Sequence, residues 1–131
     1  MHQKFILASS SKSRYKILKN AGLNFTQKKP SCNEEDIKKT ISRKTRPEIF
    51  AKKLSYEKAR SVSIKKLYAN KIVLGCDTVI YHNGKILDKV NSIEKAKQKI
   101  KSLSGKEHLI ISGLSVCLNG SKIWELSLIH I

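Results

Sequence analysis

The start of the chain passes from an apolar run through serines and a basic residue into a helical pattern. Phe5–Leu7 has the character of a buried strand, three serines follow at Ser9–Ser11, and apolar residues recur at helical spacing over 12–20. Gly22 suits the left-handed residue that ends many helices. Serine hydroxyls, backbone N–H groups at the helix start and the guanidinium of Arg14 together make an anion site. Taken alone, however, the stretch is better explained as an ordinary serine N-cap.

The rest of the chain predicts alternating α and β elements in one domain. Strands are predicted over about 4–8, 24–29 and 72–76, hairpin strands over 79–82 with 85–87 and 110–118 with 122–124, and a further helix over about 92–103. A long helix is predicted to begin at Pro47 and to turn Phe50, Leu54, Ala59 and Val62 inward. The Asn-Gly pairs at 83–84 and 119–120 are strong hairpin signals. The apolar run 72–76 predicts a strand buried on both faces that delivers Asp77 to its C-terminal end, where open α/β sheets bind ligands.

Six short motifs follow one another along the chain. They are Leu7–Arg14, Glu34 after the turn-like Pro30–Asn33, Tyr56–Ala59, Val73–Val79, Ile86–Lys89 and Leu103–His108. In this order and spacing, residues 5–125 resemble the Maf family of nucleoside triphosphate pyrophosphatases, also called septum-formation inhibitors. The family pattern reads L-A-S-x-S-P-R-R, D-E, E-K-A, G-A-D-T or G-A-D-Q, G-K-P and L-S-G-x-x-H. The resemblance implies an α/β fold with a mixed twisted sheet flanked by helices, of the Maf and inosine-triphosphatase type.

The resemblance also implies an enzyme that hydrolyses nucleoside triphosphates to nucleoside monophosphates and pyrophosphate, removing non-standard or surplus nucleotides. Asp77 matches the family's proton acceptor, and Glu34 matches its acidic residue after the first loop. Both are candidate ligands of Mg²⁺ or Mn²⁺, which prefer oxygen ligands. One alternative is that Asp77 caps a turn or helix. For Glu34, the alternatives are that its neighbours Glu35 or Asp36 take its place as ligand, or that these acidic residues only supply charge to the first turn of a helix.

Phosphate-binding and base-reading residues are implied by the same resemblance. The phosphate-binding positions are Ser9, Ser11, Arg14, Lys58 and Lys89, and the base-reading positions are Ser13 and Thr78. In the family, arginine at the position of Ser13 goes with thymidine and uridine nucleotides and tryptophan with 7-methylguanosine nucleotides, whereas Thr78 fits the pyrimidine type. Because Ser13 fits neither type, the base preference stays open. Lys12 and Val90 replace prolines of the family pattern, and Val90 adjoins the implied phosphate ligand Lys89.

The formal net charge of +17 suggests an alternative function, that of a non-enzymatic basic protein that binds nucleic acid or regulates cell division. The 27 basic residues comprise 23 lysines and 4 arginines, spread along the chain, and aromatic residues make up only 6%. Proteins that bind nucleic acid usually interleave arginine with aromatic side chains that stack on bases. The composition therefore argues against nucleic acid as a partner and indicates a solvated lysine-rich surface.

Cysteine and hydropathy patterns bear on compartment and partners. The three cysteines at 32, 76 and 117 lie far apart, which fits reduced thiols in a cytoplasm, and the four scattered histidines argue against a zinc cluster. No apolar run approaches the roughly 20 residues of a spanning helix, and the start is too short and polar for a signal peptide. We expect a cytoplasmic protein without a membrane partner. Family members often pair, so that a homodimer is allowed.

The end of the chain departs from the family pattern. Family members continue with further strands, helices and a motif similar to K-A-G-A-Y-G-I-Q-G, whereas Leu126–Ile131 is the translation of CTGTCTCTTATACACATC, a transposon end used to prepare sequencing libraries. We expect residues 1–125 to be the N-terminal part of a Maf-like domain with an incomplete second lobe, and 126–131 to be a non-native tail. A natural apolar terminal strand is the alternative. We also expect the 131-residue chain alone to be poorly soluble or partly unfolded, with little activity.

Resequencing the locus tests the origin of the tail. In DNA prepared without a transposon step, we expect the reading frame to continue past Glu125 into a sequence other than Leu126–Ile131. A stop codon directly after Ile131 in such DNA would show that the tail is genuine.

Overall fold

The computed structural model describes residues 4–42, 44–82, 84–87, 97–98, 101 and 108–130. The strands are β1 (Phe5–Ala8), β2 (Phe25–Lys28), β3 (Ile72–His82), β4 (Lys85–Leu87), β5 (Leu109–Leu118) and β6 (Ser121–His130). The helices are α1 (Lys12–Asn20), α2 (Glu34–Thr40) and α3 (Pro47–Ser63), followed by a 3-10 turn at Lys66–Tyr68. Most of the helix predicted over 92–103 lies outside the described residues, as does Lys89.

All six strands form one mixed sheet, as the sequence predicts. Their order is β2-β1-β3-β5-β6, and β4 pairs with β3 beyond this path. β1 is parallel to both β2 and β3, whereas β3 pairs antiparallel with β5, and β5 with β6. Contacts show that α1 packs against one face of the sheet, through Leu18, and α3 against the other. The sheet therefore separates an α1 side from an α3 side.

Helix α1 has the boundaries that its sequence predicts. The Ser11 hydroxyl accepts a hydrogen bond from the backbone N–H of Arg14 at 3.2 Å, which is the usual serine N-cap contact. At the other end, Gly22 has a φ of 81°, so the chain leaves the helix through the left-handed conformation that glycine adopts at little cost. The cap and the glycine fix the direction of the helix, and hence the position of Arg14 in its first turn.

Strand β3 differs from the prediction in a way that matters for the site. The segments predicted separately over 72–76 and 79–82 are one continuous strand, and Asp77 lies in its interior rather than at its end. The reason is that β5 pairs with β3 from Ile72 to Tyr81 without interruption. The parallel neighbour β1, in contrast, ends at Ala8 opposite Gly75. The early end of β1, rather than the end of its own strand, thus leaves Asp77 without a neighbouring strand on that side.

Helix α3 packs unusually close to the sheet because glycines face it. A Cβ atom on Gly75 would lie 2.1 Å from the carbonyl oxygen of Ser55, and one on Gly113 would lie 2.4 Å from the backbone of Ala51. Along the helix the side chains that the sequence turns inward are buried, namely Phe50, Leu54, Ala59 and Val62. The same buried face includes Lys58, which the close packing brings onto β3.

Two further elements bear on the sequence predictions. Helix α2 is the helix that the alternative for Glu34, Glu35 and Asp36 assumes; Asn33 caps it by accepting a hydrogen bond from the N–H of Asp36 at 3.2 Å, and Glu34 is its first residue. The hairpin at 119–120 is confirmed, with φ of 51° at Asn119 and 81° at Gly120. β6 then continues to His130, and Trp124 on this strand is 51% exposed. That residues 126–131 are a non-native tail stays a prediction.

Gly113→Ala should destabilise the fold, because the added methyl group would overlap the backbone of α3. We expect a loss of at least about 2 kcal/mol in the free energy of unfolding, at the upper end for overpacking because backbone rather than a flexible side chain must move. Urea denaturation measures it. The control is Ser127→Ala, opposite Gly113 on β6, which should change stability by less than about 0.5 kcal/mol. Equal stabilities of the two variants would contradict the close packing.

Candidate active site

A buried lysine joins two carboxylates on the α3 side of the sheet. The Nζ of Lys58 lies 2.8 Å from Oδ1 of Asp77 and 2.6 Å from Oε1 of Glu34. The side chains of Lys58 and Asp77 are 7% and 3% exposed, and that of Glu34 is 26% exposed. Each member comes from a different element: α3, β3 and the start of α2. The three residues therefore form one charged cluster that opens to solvent at Glu34.

The second oxygen of Asp77 has no partner in the described part of the chain. Oδ2 is buried and accepts no hydrogen bond there. A buried carboxylate oxygen without a donor is costly unless a ligand, a water or an ion satisfies it. With Glu34 beside it, this oxygen gives a hard donor set of the kind that Mg²⁺ and Mn²⁺ prefer. The residues present therefore fit a divalent cation.

The described residues hold no group of three or more His, Cys, Asp or Glu side chains that could enclose a metal. Two carboxylates suit Mg²⁺ better than such a cage would, because this cation usually keeps several waters and also binds phosphate oxygens of the substrate. That Glu34 and Asp77 are metal ligands stays a prediction.

A chain of hydroxyl groups holds Arg14 on the other side of β3. Its Nη2 donates to Oγ1 of Thr78 at 3.1 Å, and its Nη1 lies 3.5 Å from Oγ of Ser9. Oγ of Ser9 also accepts from the N–H of Ser11 at 3.1 Å, and the hydroxyls of Thr78 and Ser112 lie 3.3 Å apart. Among the described residues no carboxylate pairs with Arg14, so its charge is available to an anion.

The two groups are linked by consecutive residues of one strand. Successive side chains of a strand point to opposite faces, and Asp77 contacts α3 while Thr78 contacts α1. In most of the sheet the neighbouring strands would separate these faces. Here β1 ends at Ala8, opposite Gly75, so both residues lie beyond its end. A single ligand at this edge can therefore contact both groups.

An open cleft of about 1080 Å³ leads to Asp77 and Thr78. Lysines 38, 39 and 44 and Arg46, from α2 and the α2–α3 loop, line it on one side. Ile41, Phe50, Val79 and Ile86 give it an apolar wall. Such a cleft, with basic groups, an apolar wall and a buried carboxylate, suits an anionic ligand that also carries a flat apolar part.

The neighbouring carboxylates keep Lys58 charged. Burial has the largest effect on the pKa of Lys58 and lowers it, but Asp77 and Glu34 together outweigh burial and raise that pKa above its ordinary value. Burial also raises the pKa of the nearby Cys32 and Cys76 thiols, more than the positive charges around them lower it. Lys58 is therefore a cation at neutral pH, whereas both thiols stay protonated and are poor nucleophiles.

The structure brings together most of the predicted site residues. Glu34, Lys58 and Asp77 form one group, and Ser9, Ser11, Arg14 and Thr78 form the other. Ser13 is exposed on α1 next to Arg14, and Lys89 lies outside the described residues. Sequence reasoning missed Ser112, which contacts Thr78 from β5. Only the pairing of β5 with β3 could have revealed it, because a lone serine in a strand carries no signal.

Comparisons with known proteins agree with this geometry. A family model described as "Maf-like protein" matches residues 4–128. The chain belongs to the Maf-like family. It is 40% identical over 119 residues to a 7-methyl-GTP pyrophosphatase of Bartonella henselae, covering 91% of this chain and 59% of that protein. It is 37% identical over 126 residues to a nucleoside triphosphate pyrophosphatase of Pelagibacter ubique, covering 95% and 64%.

A third relative of this Maf-like chain is named for a different substrate. It is the dTTP/UTP pyrophosphatase of Thermotoga maritima, 35% identical over 119 residues, with 91% of this chain and 55% of that protein covered. The chain thus spans about three fifths of the length of the curated relatives it matches. Among solved structures it is similar to the Ham1 proteins of Staphylococcus aureus and Coxiella burnetii.

The fold of those two structures confirms the predicted architecture of the Maf-like chain. The TM-score is 0.56 for the S. aureus protein at 10% identity, with 97% of this chain and 69% of that one covered. For the C. burnetii protein it is 0.52 at 12% identity, with 98% and 70% covered. No helix in the described part of the chain is long and apolar enough to span a membrane.

Arg14→Ala should weaken anion binding at this site. Charge-assisted hydrogen bonds contribute about 1.5–3 kcal/mol, so we expect the affinity for inorganic tripolyphosphate to fall by roughly 10- to 100-fold in titration calorimetry. Lys16→Ala, an exposed residue of the same helix, is the matched control and should bind almost as the unchanged protein does. Ser112→Ala removes only the outermost hydroxyl and should lose less. Equal losses for Arg14 and Lys16 would point to general charge attraction.

Proposed function

We propose that the protein to which this chain belongs hydrolyses nucleoside triphosphates to nucleoside monophosphates and pyrophosphate. The observation that carries this proposal is the juxtaposition at the end of β1 of a buried carboxylate, Asp77, with the carboxylate-free guanidinium of Arg14. The carboxylate of Asp77 suits a base that takes a proton from water, and the guanidinium of Arg14 suits a ligand of the phosphate chain. The activities for which the relatives are named support the same reaction.

The triphosphate would bind on the α1 side of the strand. Arg14 offers two N–H groups in a fixed plane, which match two phosphate oxygens. The hydroxyls of Ser9 and Ser11 and the N-terminus of α1 add uncharged donors. Neighbouring hydroxyls already hold the guanidinium in place, so little side-chain freedom is lost when the substrate binds.

Asp77 would act on the attacking water. Lys58 occupies Oδ1 and leaves Oδ2 free to accept a proton. As the water oxygen bonds to the α-phosphorus, the bond from that phosphorus to the bridging oxygen of pyrophosphate breaks, and the water's proton passes to Asp77. A Mg²⁺ or Mn²⁺ ion held by Glu34 and Asp77 would supply positive charge for the phosphate oxygens.

Base selection would fall to the residues around Thr78. The relatives are named for different substrates, 7-methyl-GTP in one case and dTTP and UTP in another. Thr78 is held by Arg14 and Ser112 at the mouth of the cleft, whereas Ser13 is exposed on α1 beside it. A serine at that position leaves room beside the base. We therefore expect tolerance of modified or non-standard bases, in line with removal of surplus or damaged nucleotides.

Compartment and assembly stay predictions. The three cysteines are free thiols, as expected for a reducing cytoplasm. The homodimer is a prediction from the pairing of other family members. Nucleic acid is the alternative partner suggested by the net charge of +17.

A pyrophosphate-release assay distinguishes these functions. We expect the full-length protein to turn over at least one member of a panel of standard, 7-methylated and deaminated nucleoside triphosphates with Mg²⁺ or Mn²⁺, and none after chelation with EDTA. The panel is run on this chain and, in parallel, on its full-length gene product. A full-length protein that is inactive on every nucleotide but binds DNA with a steep salt dependence would replace the enzyme with a nucleic-acid-binding protein.

Asp77→Asn tests the proton acceptor. The amide keeps the shape of the side chain but cannot take the proton from water, so turnover should fall by roughly 10²- to 10⁴-fold while nucleotide affinity changes little. The control is Asp36→Asn, an exposed carboxylate of α2, which should retain full turnover. If a folded Asp77→Asn protein kept its turnover, the role of base would pass to Glu34.

A further inference from the structure

Lys58 contacts the very oxygens that a divalent cation would take from Glu34 and Asp77. Its Nζ lies 2.6 Å from one carboxylate and 2.8 Å from the other, both distances of direct ion pairing. We propose that Lys58 is an exchangeable cation: its ammonium neutralises the two carboxylates in the resting protein, and it leaves them for the substrate phosphates when a divalent cation takes its place. This inference rests on the proposed function, because it deepens the role of the same site.

The cluster of Glu34, Lys58 and Asp77 has more negative than positive charge. Glu34 and Asp77 contribute two negative charges, and Lys58 contributes one positive charge. Asp77 and Lys58 are almost wholly buried, so water does little to compensate the remaining negative charge. A divalent cation would balance both carboxylates where the ammonium balances only one. The cluster is therefore held together by Lys58 but still attracts positive charge.

One oxygen of each carboxylate is already in contact with the ammonium of Lys58. Oδ1 of Asp77 and Oε1 of Glu34 both face Nζ of Lys58, and the buried Oδ2 of Asp77 accepts no hydrogen bond from the described residues. A cation bound to Oδ2 and to Glu34 would lie close to the ammonium, and like charges at such a distance repel strongly where water is excluded. The two cations therefore compete for one pair of carboxylates.

The lysine side chain can make the exchange. It carries its charge on a flexible four-carbon stem, unlike the rigid fork of an arginine. The cluster opens to solvent at Glu34, whose side chain is 26% exposed, so the ammonium has an exit from the buried site. An ammonium released there would meet the phosphates of a bound nucleotide. This reconciles its contact with carboxylates in the structure with the phosphate-binding role implied by the sequence resemblance.

Mn²⁺ binding without nucleotide tests the proposal. We expect Lys58→Met to bind Mn²⁺ at least fivefold more tightly than the unchanged protein, measured from the electron paramagnetic resonance signal of free Mn²⁺. Mn²⁺ should also raise the melting temperature of Lys58→Met by more than that of the unchanged protein, since it would replace the lost counter-charge. Lys52→Met is the matched control on the same helix, where Lys52 pairs with Glu125 at 3.8 Å, and its Mn²⁺ affinity should not change.

A second measurement keeps the test decisive if Lys58→Met fails to fold. In the unchanged protein, adding Mg²⁺ should shift the ¹⁵Nζ resonance of Lys58 as its ammonium leaves the carboxylates, with Lys52 as the internal reference. Unchanged or weaker Mn²⁺ affinity in a folded Lys58→Met protein, or an unmoved Lys58 resonance at saturating Mg²⁺, would overturn the exchange. Pyrophosphate release by the unchanged protein is scored separately, so the exchange can fail while the proposed hydrolysis stands. Absence of all Mn²⁺ binding would overturn the exchange and the metal requirement together.

Discussion

The close packing of α3 on β3 is the contact on which the rest of the site depends. Gly75 lets the backbone of Ser55 approach to a distance that no side chain would allow. One turn further along the helix, Lys58 then reaches Asp77 with a direct ion pair. A buried ion pair contributes little net stability, but removing one partner strongly destabilises the fold because the other charge stays buried without a counter-charge. The glycine, the lysine and the aspartate therefore act as one structural unit.

Neighbouring strands of unequal length create the place where a ligand can bind. β5 pairs with β3 from Ile72 to Tyr81, whereas β1 stops after four residues. The chain leaving β1 becomes the serine loop and then α1, so that Arg14 and Ser9 arrive at the same edge as Asp77. The site is in this sense a product of sheet topology.

Local signals predicted most of the fold, and contacts between distant elements account for the errors. Serine at 11 and glycine at 22 delimit α1, and the Asn-Gly pair at 119–120 marks a hairpin, because each works through nearby backbone groups. The continuity of β3 through Asp77 depends on pairing with β5, more than thirty residues away, which no local pattern records. Ser112 was missed for the same reason, while the family motifs found Glu34, Lys58 and Thr78 without any geometry.

The alternation of Asp77 and Thr78 on one strand makes the chemistry sensitive to strand register. A slip of one residue in β3 would turn the carboxylate toward α1 and the threonine toward α3, so that Asp77 would lose Lys58 and Thr78 would lose Arg14 as partner. The ten residue pairs between β3 and β5, from Ile72 to Tyr81, set that register. An insertion or deletion within this ladder should therefore abolish the site even where the sheet itself survives. Loops on either side of the ladder can vary in length without that consequence.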